Sequence, residues 1–248
     1  MTVDKFKGTV IPVVEIFNSV SGEGISAGTI TTFVRVARCN LRCSYCDTTY
    51  SYDEFSENNQ MMTPDEIVDR VSQFGCKDII CTGGEPLEPQ KPKRYLPLYL
   101  ASKGFKVRIE TNGSCPVYSN EELECFLKGD RFQVLYYTLD IKCPGSGMSK
   151  YNIFEENLEK LHEGDELKFV VSNQEDIAYA IKVIDKYKDI LVLNKVVINF
   201  SPAYGLIKPE ELVEVLKEKH QYFSNYELRV RLSLQLHKII WPADARGV

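Results

Sequence analysis

Apolar runs rich in β-branched residues alternate with amphipathic helical patterns along most of this chain, which is typical of strand–helix units around a parallel sheet. The first two strands are predicted at 10–17 and 31–38, and Thr63 with Pro64 and Glu66 marks a helix start with a capping box. About six such repeats favour an α/β fold with a partial, about six-stranded, parallel TIM-like barrel over a closed barrel of eight. The 248 residues, 44% of them hydrophobic, can bury one core, so a single domain over 1–248 is expected.

The later elements are predicted from the same patterns. Further strands are expected at 78–82, 105–111, 135–142, 166–171 and 191–200, with a β-rich tail at 228–236. Helices are expected near 95–103, 152–161, 174–186 and 209–220.

Three cysteines follow the second predicted strand. Cys39, Cys43 and Cys46 are separated by three and then two residues, a spacing typical of a loop that binds an iron–sulfur cluster. Three thiolates leave one iron of a four-iron cluster open, and an open iron can bind a small chelating molecule. Zinc would usually need a fourth Cys or His nearby. On spacing alone, a non-catalytic zinc or electron-transfer module remains an alternative.

The overall composition narrows the partners and the compartment. No apolar core of a signal peptide and no apolar run of membrane-spanning length is found, so a reducing cytoplasm is expected and disulfides are not. The five cysteines outside the loop are predicted to be inert buried thiols: Cys76, Cys81, Cys115, Cys125 and Cys143. The net charge of −5, without a basic patch, favours a small-molecule substrate over nucleic acid or membrane.

Short polar motifs directly follow several of the predicted strands. The cysteine loop follows the second strand, Gly83-Gly84-Glu85-Pro86 follows the third, and Asp140-Ile141-Lys142 ends the fifth. Each could be an ordinary turn. Because the carboxyl ends of parallel strands meet at one edge of the sheet, the motifs together predict an active site there.

The sequence CNLRCSYC at 39–46 followed by GGEP at 83–86 resembles the radical S-adenosylmethionine (radical SAM) superfamily. SGEG at 21–24, CDT at 46–48 and QLHKIIWPADARGV at 235–248 are similar to the 7-carboxy-7-deazaguanine synthase family of queuosine and deazapurine biosynthesis. The resemblance implies a lyase that contracts the ring of 6-carboxy-5,6,7,8-tetrahydropterin with loss of ammonia. A glycyl-radical activating enzyme is the alternative within the superfamily.

The resemblance also implies cofactors and the residues that hold them. Cys39, Cys43 and Cys46 would bind a 4Fe-4S cluster, and Thr48 would bind Mg²⁺. The residues expected to contact SAM are Tyr45, Asp47, Gly84, Glu85, Asp140, Ile141 and Lys142. Asp140 and Ile141 stand where a serine and a proline are expected from the family pattern, so contacts there are expected through the backbone and Lys142.

The implied substrate contacts come from the first two strands, the SGEG motif and the residue before the double glycine: Val20, Ser21, Gly22, Arg35 and Thr82. Arg35 would bind the pterin carboxylate, unless it faces outward from an exposed strand. Ser21 replaces the glutamine expected there. His237 and Trp241 lie in the tail that would close over the substrate. A homodimer and a reductant such as flavodoxin or ferredoxin are further implications.

Overall fold

The computed structural model describes residues 1–127 and 133–248. Its strands form one sheet in the order β3-β1-β2-β4-β5-β6-β7-β8-β9. These strands are β1 (Ile11–Val20), β2 (Ile30–Val36), β3 (Gln60–Met62), β4 (Asp78–Gly83), β5 (Lys106–Thr111), β6 (Leu135–Ile141), β7 (Glu166–Val171), β8 (Val197–Pro202) and β9 (Arg229–Leu232).

The α-helices of the same described ranges are α1 (Val3–Lys7), α2 (Pro64–Ser72), α3 (Leu96–Ser102), α4 (Asn120–Phe126), α5 (Glu155–Leu158), α6 (Gln174–Leu193), α7 (Pro209–Asn225) and α8 (His237–Ile240). The capping box predicted at Thr63 is present, because its hydroxyl accepts from the Glu66 backbone N–H at 3.3 Å and its own N–H donates to the Glu66 carboxylate at 2.7 Å. No helix within the described residues is both long and apolar enough to cross a membrane.

The sheet is mostly parallel. Strand β2 and strands β4 to β9 pair in parallel, whereas β1 pairs antiparallel with β2 and with β3. In the part of the chain that the structure describes, β3 and β9 are the sheet edges, so the barrel is not closed by strand pairing. The predicted α/β fold with a partial parallel barrel is therefore confirmed, with seven parallel strands instead of about six.

Three of the later elements differ from the prediction. The strand predicted at 191–200 is wrong at its start, because α6 continues to Leu193 and the strand begins at Val197. The apolar run Ile190-Leu191-Val192-Leu193 suits a strand and a buried helical turn equally, and packing selected the helix. The helix predicted at 152–161 contains only the four residues of α5, and the β-rich tail contributes only β9 before α8 begins.

The two faces of the sheet differ in polarity. In β5, Val107 and Ile109 are fully buried in the apolar core against the helices, whereas Arg108 and Glu110 lie on the opposite face, since alternate residues of a strand face opposite sides. The same alternation recurs in β6 and β7, where Leu139 and Leu167 lie in the apolar core and Asp140 and Lys168 lie on the other face. Apolar residues therefore build the core beneath the helices, and polar residues collect on the other face.

The isolated cysteines follow this division in part. Cys81, Cys115 and Cys143 are buried, as predicted for inert thiols, but Cys125 is exposed and Cys76 is partly exposed. Cys125 lies on the short helix α4, whose other face provides the buried contacts.

Candidate active site

The polar face of the sheet carries side chains from six neighbouring strands. They are contributed by β2, β4, β5, β6, β7 and β8: Arg35, Thr82, Glu110, Thr138, Asp140, Lys168, Asn199 and Ser201. Such charge density inside a fold is costly unless each group is paired or binds a ligand. Arg35, Asp140 and Lys168 are in ion pairs. In contrast, Asn199 and Ser201 each keep a buried oxygen without a hydrogen-bond partner among the described residues. This polar wall is the first sign of a site for a polar small molecule.

The cysteine loop begins directly after β2, at one end of this wall. Its three thiols are free and only partly exposed. The Cys39 sulfur accepts hydrogen bonds from the Leu41 backbone N–H at 3.5 Å and from the Asn112 side-chain amide at 3.6 Å. Asn112 comes immediately after β5, so the end of that strand holds the loop. Hydrogen bonds to ligand sulfur are one of the means by which a protein tunes an iron–sulfur cluster.

The double glycine packs against the start of the cysteine loop. Gly83 has a φ of +120°, and a Cβ there would lie 2.3 Å from the Val36 carbonyl oxygen. A Cβ on Gly84 would lie 1.9 Å from the Arg38 carbonyl oxygen. The Gly84 N–H donates to Val36 at 2.8 Å. Both positions therefore require glycine for packing of one backbone on another, and the predicted contact of Gly84 with SAM stays a prediction.

The Glu85 side chain is fully buried. Its carboxylate accepts from the backbone N–H of Leu87 at 2.7 Å and of Asn112 at 2.8 Å, and from the Thr111 hydroxyl at 2.8 Å. Burial raises the pKa of Glu85, and these hydrogen bonds oppose the rise. In this conformation the carboxylate joins the ends of β4 and β5, so a direct contact with SAM would need a rearrangement.

The other residues predicted to contact SAM lie beside the loop. The Tyr45 hydroxyl donates to the Val170 carbonyl at 3.1 Å, which ties the loop to β7. Lys142 pairs with Asp140 at 2.7 Å. Burial alone would lower the pKa of Lys142, but Asp140 and the Cys43 sulfur outweigh it and raise that pKa. The Ile141 side chain is buried in the apolar core, so only its backbone faces the site.

Arg35 and Thr82 occupy neighbouring positions on the polar wall, where β2 and β4 pair in register. The Arg35 Nε–H donates to Glu15 at 2.6 Å, and only 15% of the arginine side chain is exposed, so it is not an outward-facing surface residue. The Thr82 hydroxyl donates to Glu110 at 2.8 Å. Burial raises the pKa of Glu110, with the Lys168 charge opposing the rise.

The predicted substrate residues of the SGEG segment meet the C-terminal tail. Val20 ends β1 by pairing with Ile30. The buried Ser21 hydroxyl lies 2.8 Å from that of Ser26, so it holds its own loop together. Gly22 accepts from the Leu236 N–H at 2.9 Å, and a Cβ on Gly22 would lie 2.3 Å from His237 Nδ1.

His237 lies half-buried over the SGEG loop, and burial lowers its pKa. Trp241 lies just past α8, where its backbone N–H donates to the His237 carbonyl at 3.0 Å. The structure thus brings this part of the tail next to the predicted site.

Sequence reasoning missed a charged pair inside the site. Lys168 of β7 donates to Glu23, the acidic residue of SGEG, and the Gln235 side-chain amide donates to the same carboxylate at 2.8 Å. Burial would raise the pKa of Glu23, but Lys168 outweighs it and holds that pKa below its usual range. The available signal was the polar residue at every second position of a β run, as in Glu166-Leu167-Lys168.

Comparison with known proteins identifies the family that carries this arrangement. The chain matches the family profile "Radical SAM superfamily" over residues 33–164, which include the cysteine loop and GGEP. The 7-carboxy-7-deazaguanine synthase of Clostridium acetobutylicum is 36% identical, covering 95% of this chain and 98% of the relative. The synthase of Chlorobaculum tepidum is 37% identical, covering 94% and 96%. The chain belongs to the 7-carboxy-7-deazaguanine synthase family of the radical SAM superfamily.

A solved structure supports the fold. The crystal structure of QueE from Escherichia coli has a TM-score of 0.70 with this chain at 21% identity, covering 94% of this chain and 97% of that one. The family profile and the curated relatives confirm the predicted resemblance at the level of superfamily and family, and this structure confirms the fold.

Radical SAM membership implies a 4Fe-4S cluster and SAM, and the residues of the cysteine loop fit the cluster. Three free thiols share one loop, and amide N–H groups point at the Cys39 sulfur. Asp140 and the sulfurs of Cys43 and Cys39 raise the pKa of the buried Lys142 ammonium. A positive charge therefore lies beside the thiols that would bind an anionic cluster. Burial raises the pKa of the Cys43 thiol to about 11, as expected for a thiol in a sheltered loop.

The predicted magnesium position is less fully formed. The Thr48 hydroxyl lies 3.6 Å from the Cys46 sulfur, and the neighbouring Asp47 carboxylate pairs with Lys238 at 2.8 Å. Within 1–127 and 133–248, no group of three or more His, Cys, Asp or Glu side chains is arranged to hold a metal ion, and this includes the three loop cysteines, so the finding does not separate zinc from a cluster. Mg²⁺ often takes only one or two protein oxygens, which Thr48 and Asp47 could supply.

Proposed function

We propose that this chain is a 7-carboxy-7-deazaguanine synthase, a radical SAM lyase of queuosine and deazapurine biosynthesis. It would convert 6-carboxy-5,6,7,8-tetrahydropterin into 7-carboxy-7-deazaguanine and ammonia. Loss of ammonia accounts for the whole difference between substrate and product, so the reaction consumes no oxidant and SAM can be regenerated. The observation that carries the proposal is the position of the cluster loop, at the end of a polar wall whose charged groups suit a polar, carboxylated heterocycle.

Bound together, the cluster and SAM supply a radical that abstracts hydrogen. The chain's own residues select which hydrogen is taken, by fixing the substrate. The Arg35 Nε–H is used by Glu15, so the terminal NH₂ groups of its guanidinium are the donors for a substrate carboxylate. The Glu23–Lys168 pair offers an acceptor and a donor on the opposite side of the wall.

Glu110 is the proton-holding group of this proposal. Its carboxyl lies on the polar wall between Thr82 and Thr138, and burial raises its pKa. A carboxyl of raised pKa can hold or release a proton at the pH of the cell. Release of ammonia from a ring nitrogen requires such proton transfers.

Several narrower assignments belong to the same proposal. Thr48 binds Mg²⁺, which would bridge to the substrate, and residues 1–248 act as one radical SAM domain, supported by the single continuous sheet. A one-electron donor such as flavodoxin or ferredoxin reduces the cluster, and the chain works as a homodimer without nucleic acid. The eight free cysteines suit a reducing cytoplasm.

The deciding experiment is anaerobic reconstitution followed by incubation with SAM, dithionite, Mg²⁺ and 6-carboxy-5,6,7,8-tetrahydropterin. Formation of 7-carboxy-7-deazaguanine with equal ammonia is expected. If SAM is cleaved to 5′-deoxyadenosine but no deazaguanine forms, the superfamily chemistry stands and the substrate assignment is refuted. Light scattering of the reconstituted protein tests the dimer, and a monomer would refute that part.

A further inference from the structure

Lys93 is a buried cation behind the start of the cysteine loop. It lies in the short 3₁₀ turn Pro92–Tyr95, and only 2% of its surface is exposed. Its ammonium donates to the carbonyl oxygens of Ala37 at 2.9 Å and of Arg38 at 2.6 Å, and it pairs with Glu88 at 3.0 Å. An ammonium has three N–H donors, and the two carbonyls use two of them, with the Glu88 carboxylate as the ion-pair partner.

The backbone that Lys93 holds is the turn leading directly into Cys39. Arg38 has a φ of 71°, a left-handed conformation that a residue with a side chain adopts only when its surroundings enforce it. The Arg38 carbonyl also accepts from the Glu85 N–H at 2.9 Å. Because this carbonyl belongs to the peptide bond that precedes Cys39, the lysine and the GGEP turn together set where the first cluster ligand begins.

Glu88 links the same lysine to the Arg38 side chain. It accepts from the Arg38 Nε–H at 2.7 Å, and Arg38 also reaches Glu54 at 3.1 Å. Glu88 is only 10% exposed, so the lysine and its partner are largely hidden from screening water. Burial lowers the pKa of Lys93, and Glu88, Glu85 and the Cys39 sulfur oppose that lowering, which places the ammonium within electrostatic reach of the cluster ligand.

We propose that Lys93 is a positioning residue for the iron–sulfur cluster. It fixes the Arg38–Cys39 peptide, and its buried positive charge behind the start of the cysteine loop would favour reduction of a cluster bound there. The proposal rests on the cluster that the family carries and not on the identity of the substrate. Reduction adds a negative charge to the cluster. A buried cation nearby stabilises that charge more strongly than an exposed one would, because the local dielectric constant is low.

The charge is tested with two variants that act in opposite directions and one matched control. Lys93→Met is expected to make the midpoint potential of the reconstituted cluster more negative in an EPR-monitored titration. Glu88→Gln removes the compensating negative charge and is expected to make it less negative. Lys91→Met is the control, since Lys91 is 34% exposed and, within the described part of the chain, its side chain joins this network only through Glu54, which Arg38 also contacts. Its potential is expected to shift far less than that of either variant.

The positioning is tested without the cluster. In the iron-free Lys93→Met variant, the amide hydrogens of residues 38–46 are expected to exchange faster than in the Lys91→Met control. After reconstitution, the Lys93→Met variant is expected to hold less iron per chain than that control. Unchanged amide exchange and iron content would overturn the positioning role. Potentials equal to that of the unmodified protein in both Lys93→Met and Glu88→Gln would overturn the electrostatic role.

Should Lys93→Met fail to fold by circular dichroism, the shift in Glu88→Gln alone decides the electrostatic role, and amide exchange of Glu88→Gln in residues 38–46 decides the positioning role. No pterin is present in any of these measurements. Failure here is therefore separate from failure of the proposed substrate.

Discussion

Replacing Gly84 with alanine separates two explanations of the double glycine, packing against the cysteine loop and close approach to SAM. The added Cβ would lie 1.9 Å from the Arg38 oxygen, where ordinary contact needs about 3.4 Å, so the two backbones must part by about 1.5 Å. That movement breaks the 2.8 Å and 2.9 Å bonds from the Gly84 and Glu85 N–H groups. Overpacking costs about 1–3 kcal/mol and two lost backbone hydrogen bonds about 1 kcal/mol each. Gly84→Ala should therefore lower the free energy of unfolding by about 3–5 kcal/mol.

The assay is guanidinium unfolding of the iron-free chain without SAM, supported by a melting temperature lowered by roughly 10 °C. Gly8→Ala is the matched control, because Gly8 has a φ of −79° and its added Cβ would come no closer than 3.7 Å to another atom. That control should change stability by less than about 0.5 kcal/mol. If Gly84→Ala were as stable as the control in the iron-free chain and only SAM binding fell, the packing explanation would be refuted.

Three further predictions concern Arg35 on the polar wall, Lys238 in the C-terminal tail and Asp165 just before β7. Arg35→Ala should lower kcat/KM for the pterin about 10- to 100-fold by removing a charge-assisted contact, while cluster absorption persists; lost absorption would make Arg35 structural. Lys238→Met removes the ion pair with Asp47 and should increase the rate of limited proteolysis in the tail. The increase should be modest, because the pair is partly exposed to water. An unchanged cleavage rate would show that the pair does not hold the tail. Burial raises the pKa of Asp165 to about 6, so the folded chain keeps a proton that the unfolded chain loses, and stability should fall as pH rises from about 4 to 6. Asp165→Asn should flatten that slope in pH-dependent unfolding, and an unaltered slope would assign it to other groups.

Local patterns in the sequence were sufficient for most elements. The capping box at Thr63 and the alternating polar and apolar run that begins at Glu166 each carry their own signal within a few residues, and the structure has the elements they predict. The run at 190–193 carries no such signal, because an apolar segment of four residues fits a strand or a helix. There the choice depended on burial of Leu191 against distant residues.

The site shows the same division. The spacing of Cys39, Cys43 and Cys46 and the order of the motifs were enough to predict the superfamily and its cofactors. The sequence could not show that Glu85 is sealed inside the fold, or that Lys168 pairs with Glu23 from 145 residues away. It gave equally little reason to connect Lys93 with the cysteine loop.

By itself, then, the sequence determined which strands and helices form and which chemistry the cysteine loop serves, because both are written in short-range spacing. Only the tertiary structure decided which charges neutralise one another and which backbones touch. The free energy of a buried charge or a backbone contact depends on groups brought together by folding, and spacing along the chain contains no record of those distances.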